Sequence, residues 1–146
     1  MIRISDDLIE KISALVRQGY PNEICGLLIG KRDIEIKTVE EFQAVPNLNQ
    51  EEAQNRFNLD PKEFERIDKE SKARGLEIVG IYHSHPDSPA EPSERDRSFA
   101  WPVYSYVIFS IQKGKGVTAK SWMLNEADGK FQNEELDILG EELGEA

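Results

Sequence analysis

The sequence predicts an α+β domain in which a mixed, largely antiparallel sheet is flanked by helices. The first observation is the order of segments, which reads helix, strands, helix, strand, helix, strands along 146 residues. The second is the character of the strands, because continuous apolar runs occur beside half-polar ones that end in turns. The third is length, since a chain of this size can bury roughly two thirds of its unfolded surface in one core. We therefore expect residues 1–146 to form a single domain, with a frayed acidic tail from about residue 140.

The first segments are a strand, a helix and a second strand. Residues 1–4 predict a short edge strand, and Ser5 is a suitable N-cap for the helix that follows. Apolar residues then recur at helical spacing until Gly19 and Pro21 stop the helix. Residues 24–30 form a continuous apolar run, which is typical of a strand covered on both faces. Two elements of the core are therefore predicted within thirty residues.

The middle of the chain adds an antiparallel meander and a second helix. Residues 34–39 alternate as a half-exposed strand that extends to residue 45. Residues 47–55 are mostly polar and predict a mobile loop long enough to border a site. Asp60, followed by proline, predicts the start of the second helix, which leads into a strand at residues 76–82.

The C-terminal third completes the sheet. Ser93 begins a third helix that ends before Pro102, and strands are predicted at residues 103–111 and 117–124. A turn then precedes a strand at Phe131. The last sixteen residues hold six acids, no base and thinly spread leucine and isoleucine, which predicts a short amphipathic helix followed by the tail.

Composition excludes several classes of function. The chain has 18 basic and 28 acidic residues, a formal charge of −10 and no basic run, which argues against a nucleic-acid or anionic-membrane surface. A single cysteine excludes an internal disulfide. The lack of a secretory apolar region or an 18-residue apolar run argues against export and membrane spanning. We expect a cytoplasmic protein.

Residues 78–96 contain most of the candidate metal-binding and catalytic residues. In an extended chain His83 and His85 point to one side and Ser84 to the other, so the two imidazoles could form half of a tetrahedral metal site. Such a pair alone is more often a surface or hydrogen-bonded feature than a pair of ligands. These are, however, the only two histidines in the chain, and both lie where an apolar strand gives way to a loop.

A third ligand is expected where this loop ends. Three prolines, at residues 86, 89 and 92, restrict the backbone of the loop that leads to Ser93 and Asp96. Serine and aspartate at this spacing also form a helix capping box, and Asp96 could not serve the cap amide and a metal equally well through one oxygen. Two histidines and one aspartate leave a fourth position for water, which distinguishes a catalytic zinc from a structural one. Glu23, at the mouth of the buried strand, could serve as the proton carrier, and Ser93 could face a developing oxyanion.

Glu23, then His83, His85, Ser93 and Asp96 at these spacings, resembles the JAMM motif of the MPN-plus metalloproteases. The residues around Glu23 and those leading into the second helix also resemble that family. The resemblance implies an MPN-type fold similar in architecture to cytidine deaminases. It implies zinc held by His83, His85 and Asp96, Glu23 as general acid and base, and Ser93 as a stabiliser of the tetrahedral intermediate. It also resolves the competition for Asp96 in favour of the metal.

The chain resembles the small stand-alone prokaryotic members of that family. Some of these act on ubiquitin-like sulfur-carrier proteins at the C-terminal Gly-Gly tail. The resemblance therefore implies a zinc peptidase or isopeptidase whose partner is the tail of such a carrier.

Three alternatives are open at this point. A non-catalytic MPN-type scaffold would require a broken motif, and here the motif is intact. A non-haem iron enzyme shares the ligand set of two histidines and a carboxylate, although no site for an organic cosubstrate is recognisable. A cysteine hydrolase would need Cys25, which lies inside an apolar run where cysteine is usually inert.

Overall fold

A computed structural model of the chain describes residues 1–48, 59–94, 96 and 100–140. The helices and strands of this part follow one another as β1 (Ile2–Ser5), α1 (Asp6–Gly19), β2 (Cys25–Arg32), β3 (Lys37–Val45), α2 (Pro61–Ala73), β4 (Glu77–Pro86), β5 (Ser105–Gln112), β6 (Gly116–Asn125), β7 (Lys130–Glu134) and β8 (Leu136–Leu139). Within the described ranges, no helix combines the length and the apolar character that crossing a membrane requires.

The strands form one sheet in the order β7-β6-β5-β4-β2-β3-β1-β8. Among the pairings between described strands, β1 with β3, β1 with β8 and β4 with β5 are parallel, and the other four are antiparallel. This confirms the α+β class and the mixed, largely antiparallel sheet. Only Glu135 separates β7 from β8, although these strands lie at opposite ends of the strand order. Because one extended residue spans about 3.3 Å, the sheet curls until its two edges come close together.

The two helices cover opposite faces of β2. Leu28 belongs to the same apolar cluster as Ile12 of α1, while Leu27 and Ile29 belong to the cluster that contains Ile67 of α2. Successive residues of a strand face opposite sides, so each face of β2 has its own helix to pack against. Residues 25–30 are all buried, which confirms the prediction of a strand covered on both faces.

Both helix starts follow the predicted capping chemistry. The Leu8 amide donates to Ser5 Oγ at 3.2 Å, and the Lys62 amide donates to Asp60 Oδ1 at 2.9 Å. These side chains satisfy amide groups that have no partner inside the first turn. Of the predicted third helix, Glu94 and Asp96 are helical, while residues 95 and 97–99 lie outside the described residues.

Three details of the sequence-based prediction were wrong. β1 is not an edge strand, because it lies between β3 and β8. The predicted C-terminal helix is instead strand β8, which pairs in parallel with β1 from Ile2 opposite Leu136 to Ser5 opposite Leu139. As a strand, this segment forms hydrogen bonds with the otherwise unpaired edge of β1. A short helix with few apolar residues would be less stable, because it could bury little apolar surface. Strand β3 begins only at Lys37. The predicted tail, and the predicted loop from residue 49 onward, lie outside the described residues.

Candidate metal centre

The two histidines lie side by side at the end of β4. His83 Nε2 and His85 Nε2 are 3.1 Å apart, and both residues are buried, with exposures of 1% and 8%. Strand pairing positions them, because β4 runs between β2 and β5 with His83 opposite Cys25 on one side and Ile108 on the other. The structure therefore confirms that the two imidazoles point to the same side of β4.

Asp96 joins the histidines through one carboxylate oxygen. Asp96 Oδ2 lies 3.3 Å from His83 Nε2 and 3.2 Å from His85 Nε2. The same oxygen accepts the Ser93 amide at 2.9 Å, and the Asp96 amide donates to Ser93 Oγ at 3.0 Å. The capping box is thus complete in both directions. The sequence had set these two uses of Asp96 against each other, but one carboxylate oxygen carries two lone pairs and can serve both.

The three donor atoms have the spacing of ligands on a tetrahedral metal ion. Their mutual separations are 3.1 to 3.3 Å. Bonds of about 2.0 Å to a tetrahedral ion place neighbouring ligands about 3.3 Å apart. Two imidazole nitrogens and a carboxylate oxygen also match the chemistry of a three-ligand site with one open position. The residues present therefore fit a bound metal ion.

Glu23 offers a second carboxylate to the same site. One of its oxygens, with a ring nitrogen of each histidine, forms a group of atoms that lie within 4.8 Å of one another. Asp96 contributes the first carboxylate, and its Oδ2 is at hydrogen-bond distance from both imidazoles. Glu23 is only 6% exposed and directly precedes the segment that enters β2. A buried carboxylate in this place could act on a water molecule beside a metal ion.

The backbone next to Glu23 is tied to β4 by an unusual pair of bonds. The Ser84 amide donates to the Ile24 carbonyl at 3.0 Å, and the Ile24 amide donates to Ser84 Oγ at 2.9 Å. The hydroxyl thus takes the place of a backbone carbonyl at the end of the β2–β4 ladder. The sequence placed Ser84 on the opposite side from the histidines but assigned it no role. A polar residue within a buried strand was the available signal.

His85 is oriented by a main-chain oxygen. His85 Nδ1 lies 2.9 Å from the Pro89 carbonyl, which can only accept a hydrogen bond. The Nδ1 atom therefore carries a proton, which frees Nε2 to bind a metal. The sequence showed Pro89 only as a stiff link and could not reveal where its carbonyl points.

The environment shifts the pKa values of the three side chains. Burial lowers the pKa of His83 and outweighs the effect of Asp96. Burial also disfavours the charged form of His85, but hydrogen bonds to Asp96 and the Pro89 carbonyl give this residue a raised pKa. Burial works against the charged form of Asp96 as well, yet its bonds to both histidines hold its pKa far below the usual range. The carboxylate is therefore ionised at neutral pH, as a metal ligand must be.

A cleft of about 320 Å³ opens beside these groups. Its lining residues come from the start of β2, the end of β4 and the loop after it: Glu23, His85, Pro86, Ser88, Pro89, Glu91, Pro92 and Ser93. The three prolines have fixed φ angles and give the cleft stiff walls. Three of the five residues predicted for the site, Glu23, His85 and Ser93, therefore line the cleft. His83 Nε2 and Asp96 Oδ2 lie 3.1 and 3.2 Å from His85 Nε2.

The cysteine alternative does not fit this arrangement. Cys25 is 1% exposed, and burial, with a smaller contribution from the Glu23 charge, raises the pKa of its thiol to about 12. A thiol with that pKa is almost entirely protonated at neutral pH and is a poor nucleophile.

Comparison with solved structures places the fold. The chain is similar to the solution structure of a protein from Desulfitobacterium hafniense, with 34% identity, a TM-score of 0.83 and coverage of 97% of this chain and 94% of the other. It also has the fold of a JAB1/MPN domain protein from Archaeoglobus fulgidus, with 20% identity, a TM-score of 0.61 and coverage of 94% and 98%. Fold and donor set together define a JAB1/MPN-type domain with a site suited to a metal ion.

The family follows from the sequence as a whole. The family described as prokaryotic homologues of the JAB domain, Prok-JAB, matches residues 5–125, and this chain belongs to it. Three named relatives are a desampylase from Haloferax volcanii (35% identical, covering 86% of this chain and 90% of the relative), a probable TtuB-protein conjugate cleaving protease from Thermus thermophilus (35%, 70% and 65%) and a CysO-cysteine peptidase from Mycobacterium tuberculosis (26%, 93% and 90%). The resemblance drawn from the motif is confirmed.

Proposed function

We propose that this JAMM-family hydrolase is a zinc-dependent peptidase or isopeptidase that cuts an amide bond at the C-terminal tail of a ubiquitin-like or sulfur-carrier protein. The observation that carries the proposal is the set of three donor atoms at 3.1 to 3.3 Å beside a cleft that also contains Glu23. A scaffold would have no use for this arrangement of buried ionisable groups. A cytoplasmic location is part of the proposal.

In this proposal His83, His85 and Asp96 hold the zinc ion. Zinc, when bound, supplies a Lewis acid that makes water a nucleophile near neutral pH and polarises a carbonyl group. The Pro89 carbonyl keeps the His85 proton on Nδ1, and the Ser93 amide steadies the Asp96 carboxylate. These outer contacts fix the direction of two of the three ligands.

Glu23 is the proton carrier in this proposal. Its carboxylate lies within reach of the space in front of the histidines, where it can take a proton from the attacking water. The same carboxyl group can then deliver that proton to the departing amine, so that the amine leaves in neutral form. Burial of Glu23 keeps bulk water from competing for the proton.

Ser93 is the proposed partner of the developing oxyanion. Its Oγ accepts the Asp96 amide, and a hydroxyl that accepts through its oxygen still has a proton to donate. Ser93 lines the cleft with Glu23 and His85, so a carbonyl bound there would be in the space that both the carboxylate and the hydroxyl border. Donation to an oxygen that gains charge during reaction lowers the barrier.

The substrate class rests on the relatives and the cleft. The named relatives are, by their names, a desampylase, a probable protease that cleaves TtuB-protein conjugates and a CysO-cysteine peptidase. A cleft with three proline walls suits an extended main chain with little side-chain bulk. A Gly-Gly tail has that property, because glycine allows close approach of the backbone.

Metal content and hydrolysis, measured together, test the proposal. Protein purified without a metal-affinity tag is analysed for metals beside a His83→Ala variant, and both are incubated with carrier proteins extended beyond Gly-Gly by cysteine or by an isopeptide-linked lysine peptide. We expect about one zinc per chain in the native protein, loss of zinc in the variant and zinc-dependent release detected by mass spectrometry. Iron in place of zinc would favour the non-haem iron enzyme, and no metal in either sample would favour a scaffold.

A further inference from the structure

The loop between β4 and Ser93 has three consecutive carbonyl groups that each accept a side-chain hydrogen bond. The central one belongs to Pro89 and faces His85 Nδ1 at 2.9 Å. Those on either side belong to Ser88 and Ala90, and their donors come from strands β5 and β6. The carbonyl that orients His85 is therefore held between two anchored peptide groups.

The first anchor is on β5. Ser110 Oγ donates to the Ser88 carbonyl, and Gln112 Nε2 donates to Ser110 Oγ at 2.9 Å. Gln112 Nε2 also lies 3.4 Å from the Ser88 carbonyl, a long contact that adds little. Ser110 is 3% exposed, so water cannot readily replace its hydroxyl.

The second anchor is on β6. Trp122 Nε1 donates to the Ala90 carbonyl at 2.9 Å, and Ala90 is 5% exposed. An indole N–H is a donor only, with a fixed direction relative to a large and rigid ring. Trp122 sits two strands away from β4 in the sheet order and is not among the residues that line the cleft.

We propose that Trp122 and Ser110 are positioning residues for His85 and act through the Pro89 carbonyl. An anchored peptide on each side leaves the Pro89 carbonyl one direction, and that direction sets the rotation of the His85 ring. The rotation in turn keeps His85 Nε2 at 3.1 Å from His83 Nε2 and at 3.2 Å from Asp96 Oδ2. The proposal rests on His85 being a metal ligand, as in the proposed function.

Zinc affinity tests this chain of contacts. Trp122→Phe keeps an aromatic ring and removes the N–H, while Ser110→Ala removes the hydroxyl. Trp101→Phe and Ser121→Ala are matched controls, because Trp101 is 57% exposed and Ser121 bonds Glu134 instead of the loop. Zinc dissociation constants are measured by chelator competition on the full chain. We expect about a 3- to 10-fold weakening in each test variant, below the range for direct partners of ligands, and no change in the controls.

A spectroscopic readout separates positioning from loss of stability. In zinc-loaded protein the His85 Nδ1 proton should give a resolved resonance, because its bond to the Pro89 carbonyl slows exchange with water. We expect faster exchange in Trp122→Phe and Ser110→Ala and no change in either control. If one test variant fails to fold, the other carries the measurement.

The possible results distinguish failure of the positioning role from failure of the proposed function. Native affinity and native exchange in both test variants would overturn the positioning role, and so would equal weakening in tests and controls. If the native protein bound no zinc, the proposed function would fail first and the positioning role with it. Zinc binding that none of the four substitutions alters would remove only the positioning role.

Discussion

Removing the hydroxyl of Ser84 should affect both the stability of the fold and the rate of the reaction. Ser84→Ala deletes the acceptor of the Ile24 amide but keeps the backbone bond from the Ser84 amide to the Ile24 carbonyl. The pairing of Cys25 with His83 also remains. The variant should therefore fold, with one amide at the mouth of β2 left without its partner.

The structure sets the size of the effect. A buried donor that loses its acceptor costs about 1 to 3 kcal/mol, and because Ile24 is only partly buried we expect the lower half, about 1 to 2 kcal/mol. For a chain of this length that corresponds to a fall in Tm of about 2 to 8 °C. Ile24 directly follows Glu23, and a shift of about 1 Å in a catalytic group can cost on the order of 100-fold in rate. We expect kcat to fall by about 10- to 100-fold with little change in KM.

Urea unfolding of the metal-free protein and steady-state hydrolysis measure the two effects. Ser121→Ala is the matched control, since Ser121 is equally buried but lies in the Glu134 cluster, where Ser105 and Lys37 still bond the carboxylate. The control should lose less stability than Ser84→Ala and keep native kcat. An unchanged kcat in Ser84→Ala would refute the reasoning, as would a loss of kcat that is the same in the control.

Three further predictions concern single side chains. Glu23→Gln should retain zinc and lose hydrolysis, because the amide cannot carry the proton; retained turnover would remove the role assigned to Glu23. Cys25→Ala should keep kcat within about twofold, since burial raises the pKa of the thiol to about 12, and an inactive but folded variant would revive the cysteine alternative. Glu134→Gln should destabilise the protein in a pH-dependent way. Burial disfavours the charged form of Glu134, but bonds from Ser105, Lys37 and Ser121 outweigh it and lower its pKa. A lowered pKa stabilises the fold above the unfolded value of about 4.3, and this contribution is lost as pH falls through the folded pKa. The difference in unfolding free energy between native and Glu134→Gln protein should therefore be constant at neutral pH and shrink in acid, and a difference independent of pH would contradict the assignment.

Local signals in the sequence predicted helices α1 and α2 and the central strand β2 well. Ser5 and Asp60 cap α1 and α2 as their positions indicated, because capping depends on residues within one turn. The apolar run of β2 is buried on both faces, as its composition indicated. The wrong predictions concern strands whose place in the sheet depends on pairing with segments distant in the sequence. The segment of β8 has too few apolar residues to indicate a strand, and it becomes one because β1 offers it an unpaired edge.

The sequence by itself determined the chemistry of the candidate site. The two histidines alternate correctly within one strand, and Ser93 and Asp96 lie one helical turn apart, so both spacings are local and could be recognised before folding. It could not place Glu23, which lies sixty residues before His83 and meets it only because β2 pairs with β4.

Only the tertiary structure decided how the donors are held. It put the cap amide and both imidazoles on the same oxygen of Asp96, and it placed Ser84 and Trp122 in contact with main-chain atoms beside the site. Such contacts join side chains to backbone groups of remote segments. Because every residue has a backbone carbonyl, the sequence does not indicate which carbonyl a given side chain will contact. Residue types and local spacing specify which chemistry is available, whereas strand pairing and loop anchoring specify the distances at which that chemistry can occur.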